Sequence, residues 1–153
     1  MLGIDRWLDA LRNYRRVALD TNVVIYALED VRPYLDLAHQ LLRLMERGRI
    51  MGTVSTVVEA EVLVKPLRER DRSTLEKAEL FFKNSPNLVI RSVDRVIARR
   101  AALVRASSRL RLPDAIVVAT ALEDRCDALI GNDASMVQHR LGIPYLYLDD
   151  YVS

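Results

Sequence analysis

The run Val17-Ala18-Leu19-Asp20-Thr21-Asn22, a short apolar stretch closed by an aspartate, constrains this chain more than any other feature. With Val23-Val24-Ile25-Tyr26-Ala27-Leu28 behind it, it reads as a buried strand that turns directly into a helix. In an open α/β sheet, ligands gather at the carboxyl ends of the strands. A carboxylate at that position packs poorly and is well placed to hold a cation. Three further acids, Glu61, Asp114 and Asp133, fall at turns or helix beginnings from which they could reach the same end of the sheet.

The remaining hydrophobic pattern supplies that sheet. Ile4, Trp7, Leu8 and Leu11 recur at helical spacing and predict an amphipathic helix over residues 4–14. Strands are expected at about 16–20, 50–54, 88–90, 128–130 and 144–148. Helices are expected at about 22–30, 34–47, 56–64, 74–83, 93–106, 113–122 and 134–140, with Gly48 closing the second of these and Pro66 stopping the third. Strands alternating with helices imply βαβ units and a mainly parallel sheet. At 153 residues, without repeat, linker or low-complexity tract, the chain reads as a single α/β domain. A chain of this size buries roughly 68–70% of its unfolded surface.

Some of the acids also have a local explanation. Thr56-x-x-Glu59 matches a capping box, which accounts for Glu59 and leaves Glu61 without such a role. Asp114 follows Pro113 at a helix start, where the unpaired N–H groups favour an acid. Asp133, in Gly131-Asn132-Asp133, also suits a turn. A cap contributes only about 1 kcal/mol, whereas burying one unpaired ion costs several. Four converging carboxylates therefore call for a divalent cation. Oxygen donors without His or Cys favour Mg2+ or Mn2+ over zinc. Such an ion activates water and polarises phosphoryl oxygens. His39 and His139 both fall in expected helices away from these acids.

Charge is unevenly distributed. Seven arginines stand against one acid, Asp94, between Arg91 and Arg111, so that segment is +6 and the remainder −4 within a net charge of +2. Arg91, Arg95 and Arg99, four residues apart, would form one stripe on a helix, suited either to solvent or to phosphate contact. Cys126 is the sole cysteine, which excludes an intrachain disulfide and fits a reducing, cytoplasmic compartment. No apolar run approaches the length of a membrane span, and no membrane association is expected.

Taken in order, Asp20-Thr21-Asn22, Ser55 six residues before Glu61, Leu112-Pro113-Asp114-Ala115 and Gly131-Asn132-Asp133 resemble the motifs of PIN-domain ribonucleases, in particular the VapC-like toxins. The resemblance runs from about residue 16 to the end. It implies a PIN-like, flavodoxin-like three-layer sandwich with strand order 3-2-1-4-5. It further implies a Mg2+- or Mn2+-dependent endoribonuclease with Asp20, Glu61, Asp114 and Asp133 at the catalytic and metal-binding positions. Thr21, Asn22 and Ser55 become candidates for orienting the acids or water. RNA is the implied substrate, an antitoxin protein and a second copy of the chain the implied partners. Two departures stand out: Gly131 replaces a Thr common in the family, and the helix at 4–14 extends beyond its usual start.

Other classes fit less well. A dinucleotide-binding enzyme would need a Gly-rich phosphate turn, and among five glycines no G-x-G-x-x-G occurs. An aspartyl phosphatase would carry a second Asp where Asn22 stands, and a receiver domain a Lys where Asp149-Asp150 stand. Two readings remain beside the toxin: a stand-alone RNA-processing nuclease, and a non-catalytic PIN-like module that binds RNA or protein. Four intact acids disfavour the last.

Overall fold

The computed structural model describes residues 2–152. Its first part runs α1 (Gly3–Leu11), β1 (Arg16–Leu19), α2 (Thr21–Leu28), α3 (Leu35–Glu46), β2 (Met51–Ser55), α4 (Thr56–Glu69) and α5 (Arg72–Asn84). The second part runs β3 (Leu88–Arg91), α6 (Arg95–Ala106), α7 (Leu112–Glu123), β4 (Ala128–Gly131), α8 (Ala134–Val137), β5 (Tyr145–Tyr147) and a 3-10 helix (Leu148–Tyr151). The five strands form one sheet in the order β3-β2-β1-β4-β5. Every pairing is parallel, with Val17 opposite both Gly52 and Ala128.

The inner strands are buried along nearly their whole length: all four residues of β4, the last three of β1 and the last four of β2. That is the signature of a sheet covered on both faces, as parallel βαβ crossovers require. The main core gathers Val17, Leu19, Val54, Leu129 and Ile130 from the sheet with Leu41, Met45, Val58 and Val118 from the helices. A second, smaller cluster of Ile97, Ala101, Ala115 and Ala119 lies between α6 and α7, where small side chains let the two helices approach closely. Helix α1 is built into the main core: Trp7 and Leu11 are buried there, and the Trp7 indole N–H donates to the Leu37 carbonyl at 2.9 Å.

Four local expectations are corrected. Pro66 does not stop its helix; it lies inside α4, which continues to Glu69 and ends on Arg70 at φ +53°. Only one helical turn follows the proline, and its buried ring offsets the missing N–H donor. The N-cap of α4 is Ser55, whose Oγ accepts from the Val57 N–H, so Thr56 lies inside the helix and no Thr56–Glu59 box forms. Helix α5 begins earlier than expected, because the Asp71 carboxylate accepts from both the N–H and the hydroxyl of Thr74. Arg91 is not helical: it ends β3, paired opposite Ser55, and Asp94 caps α6 after it.

Candidate active site

Strand β1 lies between β2 and β4, and the chain reverses its direction of winding between β1 and β4. Such a switch point leaves a crevice beyond the carboxyl ends of the two strands. Asp20 and Asp133 are the caps that follow those strands. The Asp20 N–H continues the β1–β4 ladder to the Ile130 carbonyl at 2.9 Å, and its Oδ1 accepts from the Thr21 N–H at 2.7 Å. Asp133 accepts from both the N–H and the hydroxyl of Ser135 through Oδ1. Glu61 comes from α4 and Asp114 from the first turn of α7.

All four carboxylates line one open pocket of about 320 Å³, together with Thr21, Asn22, Arg111, Asn132 and Ala134. Glu59 lies elsewhere, in a groove with Leu63, Glu79, Phe82 and Lys83. Ser55 is buried at the head of α4 and caps the helix without lining the pocket. Arg95 and Arg99 are exposed on α6 with no ion pair among the described residues. The Arg91 guanidinium is engaged by Asp124 at 2.8 Å and Asp94 at 3.1 Å, so the three-membered stripe does not form. Cys126 is not among the pocket's lining residues, and burial pushes its thiol up to about 11, which keeps it protonated at neutral pH.

Burial pushes the Asp20 carboxyl up to about 6, with Asp114, Glu61 and Asp133 adding repulsion and the Thr21 N–H opposing it. Asp114 is also raised, chiefly by burial and then by Asp133 and Glu61, while Arg111 pulls it down. The four acids thus act on one another. Their donor chemistry, carboxylate oxygen with no His or Cys in the lining, suits a hard divalent cation. They line the pocket without meeting at one point, and among the described residues no three such side chains make a ready metal cage. Each is held by a partner of its own: Asp20 by the Thr21 N–H at 2.7 Å, Glu61 by the Thr21 hydroxyl at 2.7 Å, Asp114 by Arg111 at 3.4 Å, and Asp133 by Ser135.

Two residues near the acids carry no sequence signal of their own. Arg111 is the one cation among the pocket's lining residues, three positions before Asp114 and hidden in sequence among its neighbouring arginines. Tyr145 stands behind the acids on β5. Its hydroxyl accepts from the Asp133 N–H at 3.0 Å, and burial together with Asp20, Asp133 and Asp114 holds the phenol well above its ordinary pKa. Asn132 links the pocket outward, donating to the Tyr26 hydroxyl and accepting from the Asp149 N–H.

Solved structures share this architecture. VapBC2 from Rickettsia felis, solved bound to a DNA fragment from its promoter, aligns at a TM-score of 0.70 with 15% identity, over 86% of this chain and 98% of the other. A toxin–antitoxin complex from Klebsiella pneumoniae aligns at 0.58 with 24% identity, over 86% and 97%. VapC20 from Mycobacterium tuberculosis, a sarcin-ricin loop cleaving toxin, aligns at 0.64 with 16% identity, over 84% and 99%. At these identities the likeness defines a fold. Among curated proteins no sequence match is found. The PIN domain family model matches residues 17–140, and the chain belongs to that family.

Proposed function

We propose that this PIN-domain protein is an endoribonuclease that hydrolyses RNA phosphodiesters with Mg2+ or Mn2+ held by Asp20, Glu61, Asp114 and Asp133. The observation that carries this reading is the lining of one pocket by four carboxylates from four separate segments. Left unpaired, that arrangement costs more than the helix caps return. A divalent ion bound there would supply an activated water and a polarised phosphoryl oxygen. The chain's own groups would do the rest. The Thr21 hydroxyl fixes Glu61, Asn22 presents an amide to the same space, and Arg111 offers a cation to the scissile phosphate. Arg95 and Arg99, exposed on α6, would meet the RNA backbone further along.

The toxin–antitoxin complexes among the structural neighbours support a narrower reading, a VapC-like toxin restrained by an antitoxin. A basic side chain of such a partner would find its counter-charge in the acidic pocket. The test is cleavage of single-stranded RNA with Mn2+ and with EDTA. Wild-type protein should cleave only with the metal, and Asp20→Asn should not cleave in either. Cleavage that persists in EDTA would overturn the reading. In a bacterial host the wild type should arrest growth and Asp20→Asn should not; a harmless but active nuclease would remove the toxin role alone.

A further inference from the structure

Gly131 ends β4 immediately before Asn132 and Asp133, and its backbone does not occupy the left-handed region. Glycine is therefore needed there for space. A Cβ at this position would lie 2.5 Å from the Tyr145 hydroxyl oxygen and 3.2 Å from the Asp20 Cβ. The first distance is closer than real Cβ atoms approach, so a side chain at 131 and the Tyr145 hydroxyl compete for one volume beside two of the acids. Parallel pairing of β4 with β5 sets Tyr145 opposite Leu129, one strand over from the pocket.

We propose that Tyr145 is a positioning residue of the acid pocket, its hydroxyl filling the space of a side chain at 131 and fixing Asp133 for metal binding. The inference rests on the metal-dependent reading above. The Tyr145 hydroxyl accepts from the Asp133 N–H, while Ser135 holds the Asp133 Oδ1 from the other side. Backbone and one carboxylate oxygen are thus both fixed, and no protein donor among the described residues holds Oδ2. Tyr145 itself does not line the pocket, so it acts through Asp133 and has no direct contact with the ion. Partners that orient metal ligands in this way typically change metal affinity about 10- to 100-fold when removed.

Titration calorimetry with Mn2+, in the absence of RNA, tests the proposal. Tyr145→Phe deletes the hydroxyl and keeps the ring. It should weaken Mn2+ about tenfold or more. It should also speed hydrogen exchange of the Asp133 amide, with little change in melting temperature. Gly131→Ser, forced against the Tyr145 hydroxyl, should bind Mn2+ more weakly than wild type. Unchanged affinity in Tyr145→Phe would overturn the role of Tyr145 while the pocket's metal reading stands. A wild-type protein that binds no Mn2+ would overturn both.

Discussion

Asp20 is the most buried of the four acids, and its raised pKa of about 6 ties the metal-free fold to pH. A carboxyl whose folded pKa lies above its unfolded value of 3.8 favours the folded state while protonated. That contribution is fully present below about pH 4 and is lost as pH rises through about 6. In EDTA the wild type should therefore lose stability over this window, on the order of 2 kcal/mol from Asp20. Asp20→Asn retains a helix-capping residue. Thermal melts across the same range should show a flatter profile for it, with stability at pH 7.5 equal to or above wild type. A variant markedly less stable than wild type at both ends would make Asp20 a structural residue. The four acids were legible in sequence because each belongs to a strand end or a helix near its start, and such places are fixed by local pattern. Tyr145 was not legible. Its relation to Gly131 and Asp133 depends on β5 lying beside β4 in a given register, which neither strand's residues encode alone.

Elements are legible in sequence where periodicity meets a clear boundary and obscured where a cap overrides it. The spacing of Arg91, Arg95 and Arg99 is helical, yet the Asp94 side chain accepts from the Ile97 N–H and starts α6 only after itself. Arg91 is left on β3, where it ties the strand's end to Asp94 and to Asp124 beyond α7. A one-residue shift of the α4 cap, from Thr56 to Ser55, likewise removes the capping-box account of Glu59, although Glu61 is the glutamate that lines the pocket. Strand order was not legible from alternation alone and came from the resemblance. The arginines now divide into two sorts with different expected outcomes. Arg91→Ala should lower the melting temperature by releasing both acids. Arg95→Ala with Arg99→Ala should leave melting unchanged and reduce the salt dependence of RNA binding by about two ions. Binding with a wild-type salt slope in that double variant would return both residues to the solvated surface.

In the molecule as a whole, the pocket occupies the β1–β4 switch point, while α1, outside the family match, closes a different region. Trp7 is fully buried, packs at 5.0 Å from the Tyr151 ring, and lies next to Arg6, whose guanidinium sits over that ring and reaches the Asp150 carbonyl. Helix α1 is thus held against α3 and the 3-10 helix. Truncating a buried tryptophan typically costs about 3–5 kcal/mol. Trp7→Ala should accordingly lower the melting temperature strongly; a loss no larger than that of a surface substitution would mean that α1 stabilises nothing. Trp7 is also the chain's one tryptophan, and it is absent from the pocket lining. Indole emission consequently has a single source. It reports the docking of the first helix against the last, and the melts of the Asp20, Arg91, Arg95, Arg99 and Tyr145 variants can all be followed through that one chromophore.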